Sequence, residues 1–189
     1  MLLKNECWIE TASGKHFNYF DTKPEDIDIE DIAHALGMAC RFSGHVSHFY
    51  SVAEHSVHCS YIVPKEDALA ALLHDSSEAY ISDIAKPIKE YMGDYLKIED
   101  TIMWHIANKF GFDYPLSKSI KEADVIQLST EAHYLLPTKG DTWSMWEYIK
   151  RPEISLGIKP ECFSPDKAKS KFLSRFEELM NERTIREAT

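Results

Sequence analysis

"ALLHDSSEAYISDIAKPIK", residues 71–89, opens as an apolar helix and then sets down His74, Asp75, Ser76, Ser77 and Glu78 in a row. Leu72 and Leu73, with Leu69 upstream, form the stripe that buries this helix. If the helix tightens or stops there, the adjacent His74 and Asp75 can both turn toward one point. Glu78 follows four residues after His74, on the same helical face. An imidazole beside a carboxylate is a mixed donor set suited to Zn²⁺, Mn²⁺, Fe²⁺ or Co²⁺. The same pair fits equally a helix C-terminal histidine next to a solvated aspartate.

Helical spacing recurs on both sides of this stretch. DIDIEDIAHALGMAC carries Ile29, Ile32, Ala33 and Leu36 on one face, with Asp28 as N-cap. SVAEHSVHCSYIV continues through Val52, Cys59, Ile62 and Val63 until Pro64 closes it. DYLKIEDTIMWHIANKFGF aligns Leu96, Ile102, Met103, Ile106 and Phe110, with Gly111 as C-cap. SIKEADVIQLSTEAHYLLP aligns Val125, Leu128, Ala132 and Leu135. SPDKAKSKFLSRFEELM starts with Ser164 as N-cap and Pro165 at the first helical position. The segment before residue 26 reads as loop or a short strand pair, RFSGHVSHFY as a break at Ser43-Gly44, and 138–160 as a long irregular connection. No strand-like alternation of any length competes. The expectation is a single all-α domain over residues 1–189, a compact bundle of about six or more helices with the last near 164–181.

A chain of 189 residues is long enough for one sizeable core, and its 44% hydrophobic and 28% charged residues are those of a soluble globule. The formal net charge of -10 repels nucleic-acid backbones and anionic membranes, so neither is expected as a partner. An anionic substrate would then need metal ions and a few local cations to overturn that field. Cys7, Cys40, Cys59 and Cys162 form no Cys-x-x-Cys pair and read as reduced buried thiols of a cytosolic protein. MLLKNECWIE acquires charge too early for a signal peptide, and no stretch approaches a membrane span.

Two more polar groups fall on apolar faces. His55 lies three residues after Val52 and four before Cys59, so it points at the core, where a satisfied core histidine is the plain reading; His58 is similar. Asp124 flanks the stripe of Val125 and Leu128. An acid there is costly unless paired, hydrogen-bonded or bound to a metal, or else it is a first-turn carboxylate favoured by the helix dipole.

In chain order, His55, His74-Asp75 and Asp124, each block on its own helix, resemble the H…HD…D pattern of the HD-domain metal-dependent phosphohydrolases. RFSGHVSHFYSVAEHS followed by ALLHDSSEAYISDIAKPIK is similar to the branch containing bacterial 5'-deoxynucleotidases and small phage dATP triphosphohydrolases, over about residues 27–136. No Gly-Tyr-Pro extension follows the HD pair, which disfavours a cyclic-dinucleotide phosphodiesterase. The resemblance implies a divalent ion (Zn, Co or Mn, with a second ion an option) held by His55, His74, Asp75 and Asp124. It implies Glu78 as the acid that orients or deprotonates the attacking water, and Asp83 as a further acid. Arg41 matches the arginine that reaches the substrate phosphate, where a planar fork is an advantage. Lys86 is a candidate phosphate clamp; for both cations a plain surface role is the alternative. Phe42, where some relatives carry Trp, packs against sugar or base, or simply in the core. His45 is assigned to phosphate contact or loop hydrogen bonding, and His16, His34, His105 and His133 have no special role.

The chemistry implied is attack on the phosphorus next to the nucleoside 5'-oxygen. A triphosphate then yields deoxynucleoside and triphosphate, and a monophosphate yields nucleoside and phosphate. The expectation is a deoxynucleoside triphosphate, best dATP, with dNMP as the alternative. A non-catalytic nucleotide-binding sensor or a helical interaction protein are the readings from other classes. Branch members form dimers or larger rings, so a homo-oligomer in the cytoplasm of a bacterium or phage-infected cell is expected.

Overall fold

The computed structural model describes residues 3 and 6–187, so the start of MLLKNECWIE, weighed above as a leader, lies largely outside the described residues. The chain opens on an antiparallel pair, β1 (Trp8–Glu10) and β2 (His16–Asn18), with Ile9 opposite Phe17. Phe17 is fully buried and stacks on Tyr80 with ring centroids 3.8 Å apart, which pins the ribbon to the helices.

Eight α-helices follow among the described residues: α1 (Ile29–Met38), α2 (Val52–Ile62), α3 (Ala68–Leu72), α4 (Glu78–Ile81), α5 (Lys86–Lys89), α6 (Gly93–Phe110), α7 (Lys118–Leu135) and α8 (Pro165–Glu187). The architecture is all-α, as the periodicity implies. The Asp28 carboxylate accepts the Glu30 N–H to start α1, and the Ser51 hydroxyl accepts the Glu54 N–H to start α2. Gly111 ends α6 in the left-handed region at φ 71°, a conformation glycine adopts without a Cβ clash. The final helix runs past residue 181 to Glu187.

One apolar cluster joins Ile32 and Leu36 of α1, Val52 and Ala53 of α2, Leu69 and Leu72 of α3, Ile102 and Ile106 of α6, and Phe172 and Leu179 of α8. α1 and α8 approach so closely that a Cβ on Gly37 would stand 3.0 Å from the Pro165 carbonyl oxygen. Glu54 is fully buried on α2, and its carboxylate accepts the N–H groups of Glu161, Cys162 and Phe163 at 2.7–3.0 Å. Those bonds hold the chain entering α8 against α2 and satisfy an acid that would otherwise be costly to bury.

Three expectations need correction. The helix through Leu69, Leu72 and Leu73 does not continue to Glu78. It stops at Leu72, and the chain winds through bonds from Ser76 N–H to the Leu73 carbonyl and from Glu78 N–H to the Asp75 carbonyl. These i to i+3 links are tighter than an α-turn, so His74 and Asp75 lie in a turn between α3 and α4, which starts at Glu78. On α7 Ala132 and Leu135 are buried as expected, but Val125 and Leu128 are only half-buried, and Ile120, Ala123, Gln127, Ser129, Thr130 and Glu131 are buried instead. Ile120 packs with Ala70 and Ala71, while Gln127, Thr130 and Glu131 meet polar partners. All four cysteines are free thiols, but Cys59 alone is buried. No helix among the described residues is long and apolar enough to cross a membrane.

Candidate metal centre

α2 supplies His55, the turn after α3 supplies His74 and Asp75, and α7 supplies Asp124. Their donor atoms converge. His55 Nε2 lies 3.3 Å from His74 Nε2, 3.2 Å from Asp124 Oδ1 and 3.7 Å from Asp75 Oδ2, and His74 Nε2 lies 3.2 Å from Asp75 Oδ2. Donors bound to one ion at about 2.0–2.2 Å stand about 3.0–3.6 Å from one another; the three contacts of 3.2–3.3 Å fall in that range, and His55 Nε2 to Asp75 Oδ2 at 3.7 Å lies just beyond it.

The imidazoles are oriented from behind. His74 Nδ1 donates to the Ala71 carbonyl at 2.7 Å, and His55 Nδ1 donates to the Glu131 carboxylate at 2.6 Å. Both rings therefore turn Nε2 toward the common point, the arrangement that outer partners impose on metal-ligating histidines. Burial opposes ionisation of Asp75, but His74, His55 and Arg41 outweigh it and hold that carboxyl well below its usual range. Asp124 is shifted the same way, with burial again outweighed by His55 and His74. Burial lowers both imidazoles, and Arg41 lowers His55 further, yet Cys59, Glu131 and Asp124 around His55 and Asp75 and Asp124 around His74 raise them above their ordinary range on balance. The site attracts positive charge.

Cys59 joins this group from below. Its Sγ is 3.5 Å from His55 Nε2, and His55, Cys59 and His74 offer ligand atoms all within 4.8 Å of one another, a cluster able to hold a metal ion. The sequence reading placed Cys59 only in the apolar stripe. Its position four residues after His55 was the available signal. Burial pushes the thiol up to about 11, which keeps it protonated at neutral pH.

Glu78 is buried at the start of α4, and its Oε2 has no hydrogen-bond partner. Burial, then Asp75 and Asp83, raise its carboxyl well above the ordinary 4.5. Asp83 is half-buried and also raised, chiefly by burial, with Arg41 pulling the other way. Arg41 is buried, not a surface cation: Nε binds Glu131 at 3.0 Å and Nη1 lies 3.6 Å from Asp75 Oδ2. Phe42 and Ser43 follow at φ 55° and 51°, a strained turn that sets the Phe42 ring against the Arg41 guanidinium and 6.2 Å from Trp143. His45 is exposed and enters that turn through its backbone N–H to the Phe42 carbonyl.

Lys86 is exposed at the first position of α5, while Lys89 reaches inward, with Nζ 3.7 Å from Glu78 Oε1 and paired to Glu99. Lys89 is the lysine of this helix that meets the site. A cavity of about 590 Å³ opens beside the cluster, lined by His74, Asp75 and Asp124, by Lys89, Lys97 and Lys121, and by the apolar Leu96, Met103 and Ile120. Leu96, expected in the core, is 38% exposed because it faces this cavity. Glu131 also went unread; it lies seven residues after Asp124, on the same face of α7.

No family model matches the chain. The chain is similar to the uncharacterized protein YfdR of Escherichia coli, 43% identical over 172 residues that span 91% of this chain and 95% of YfdR. It is also similar to an uncharacterized protein of Rhodobacter capsulatus, 32% identical over 143 residues, 68% of this chain and 73% of that protein. With identity at these levels running through most of both sequences, the chain belongs to the family of YfdR.

Proposed function

We propose that the protein is a metal-dependent phosphohydrolase of the HD-domain kind, acting on deoxynucleotides at the phosphorus next to the 5'-oxygen. The observation that carries this reading is the convergence of His55 Nε2, His74 Nε2, Asp75 Oδ2 and Asp124 Oδ1, with both Nδ1 atoms held from behind. Two imidazoles and two carboxylates suit Zn²⁺, Mn²⁺ or Co²⁺. The neutral, buried Cys59 thiol is the poorer donor, since it must lose a proton first. A divalent ion held there supplies Lewis acidity that acidifies water and polarises a phosphoryl oxygen.

The chain's own groups take the remaining roles. Glu78, whose carboxyl is raised well above its ordinary range by burial and by Asp75 and Asp83, has an oxygen without a partner and is suited to accept a proton from the attacking water. That proton can pass to the departing 5'-oxygen, so the reaction consumes one water and leaves deoxynucleoside and the phosphate product. Arg41, fixed by Glu131, presents a cation beside Asp75, and Lys89 presents another beside Glu78. The 590 Å³ cavity with Lys89, Lys97 and Lys121 in its wall favours a substrate with several phosphates, and dATP is our first candidate.

The test is incubation of the purified protein with Mn²⁺, Co²⁺ or Zn²⁺ and a panel of dNTPs and dNMPs, reading triphosphate against phosphate. Release of triphosphate from dATP is the expected result. Hydrolysis of monophosphates alone would move the substrate to a dNMP, and no hydrolysis of either with metal bound would leave a nucleotide-binding sensor.

A further inference from the structure

Glu131 is fully buried, and its carboxylate has three side-chain partners. Oε1 accepts from His55 Nδ1 at 2.6 Å and from the Tyr50 hydroxyl at 2.9 Å; Oε2 accepts from Arg41 Nε at 3.0 Å. Behind this trio, Gln127 Nε2 lies 3.2 Å from His58 Nδ1 and 3.4 Å from the Tyr50 oxygen, and the Gln127 amide pairs with both the carbonyl and the N–H of Ile158 at 2.9 Å. A carboxylate in such a place is costly to bury unless it is paired and fully hydrogen-bonded.

We infer that Glu131 is a positioning residue that sets two functional groups at once: the ring orientation of His55 and the guanidinium of Arg41. Its hold on Nδ1 fixes the His55 tautomer and leaves Nε2 to face His74 and Asp124. Its hold on Nε sets the Arg41 fork with Nη1 toward Asp75. Because both contacts run through one carboxylate on the helix that carries Asp124, α7 acts as a rigid gauge between the donor cluster and the phosphate-binding arginine. The inference rests on the metal reading of the site. An outer carboxylate of this kind raises the basicity of the ligand it holds, and its loss weakens metal binding by about 10–100-fold.

The experiment compares Co²⁺ binding to wild type, Glu131→Gln and Tyr50→Phe by calorimetry and by the visible spectrum of the bound ion. Tyr50→Phe removes a buried hydrogen bond to the same carboxylate without touching His55. The expected result is a loss of about 10–100-fold in Co²⁺ affinity with an altered spectrum in Glu131→Gln, and a change of less than about threefold in Tyr50→Phe. Equal losses in the two variants, or none in Glu131→Gln, overturn the inference. ¹⁵N imidazole resonances of the wild type give a reading that holds even if Glu131→Gln does not fold: His55 must carry its proton on Nδ1, and Nε2 must be the atom that shifts when Zn²⁺ is added. The opposite tautomer overturns the proposal. A wild type that takes up no ion overturns the metal reading and this inference together, whereas a binding wild type with an equally binding variant overturns this inference alone.

Discussion

His55 and His74 meet Nε2 to Nε2 at 3.3 Å, with Asp75 and Asp124 closing around the same point. With each Nδ1 already committed elsewhere, two nitrogens at this distance need a proton on one Nε2 or a metal ion between them. The choice between donor sets is then testable one residue at a time. Asp75→Asn removes a charged donor and is expected to leave dialysed protein with little bound metal, while Cys59→Ala keeps a wild-type content; elemental analysis of both decides. Depletion in Cys59→Ala would make the thiol a ligand. Glu78 separates chemistry from stability. Its Oε2 is buried without a partner, and burial beside Asp75 and Asp83 already disfavours its charge. Glu78→Gln is therefore expected to melt at or above the wild-type temperature and to retain metal, yet to lose about 10²–10⁴-fold in kcat on the best nucleotide. Unchanged turnover would remove Glu78 from the reaction.

The elements differ in how openly the sequence announces them. Long helices such as α1, α2, α6 and α8 bury apolar residues at helical spacing, and their caps at Asp28, Ser51 and Gly111 are local chemistry, so both were legible. On α7 the buried Gln127, Thr130 and Glu131 look like a solvated face in any hydropathy pattern, because their partners lie far away in sequence. The tight turn after Leu72 rests on the Ser76–Leu73 and Glu78–Asp75 backbone bonds, which local propensity allows but does not dictate. The grouping of His55, His74, Asp75 and Asp124 was legible through their ordered blocks along the chain, whereas the inward reach of Lys89 and the contacts of Glu131 needed the fold. Gly157 tests how tightly the 138–160 connection is bolted to α7. An added Cβ there would clash with Thr130 Oγ1 and stand 2.8 Å from Thr130 Cβ, next to the Gln127–Ile158 pairing. Gly157→Ala is expected to cost about 1–3 kcal/mol in urea unfolding. An unchanged midpoint would show that the connection rides loosely on the helix.

Over the whole molecule a formal charge of -10 surrounds a site already crowded with carboxylates, so protons and metal ions compete there and pH acts on stability through opposing groups. Glu78 titrates higher in the fold than its ordinary 4.5, so the folded chain takes up that proton first and gains stability as pH falls. His58 works in the other direction. Its ring is buried between Tyr50 and Gln127, and burial lowers its pKa to about 4, against the opposing pull of Glu131. Between the ordinary 6.5 and about 4, the unfolded chain binds a proton at this ring that the folded chain does not. The stability that the neutral ring secures is whole above that window and is lost as pH falls through it, a difference of roughly 3 kcal/mol at most. Because Glu78 and its neighbours titrate with the opposite sign, the effect is read as a difference between two proteins. His58→Asn places an amide near the Nδ1 position and has no proton to bind. Urea unfolding of both metal-free proteins, from about pH 7 down to about pH 4, should show the stability gap between wild type and variant shrinking by up to that amount. If the two curves stay parallel, His58 keeps an ordinary pKa in the fold and the network of Tyr50, Gln127 and Glu131 does not exclude its charge.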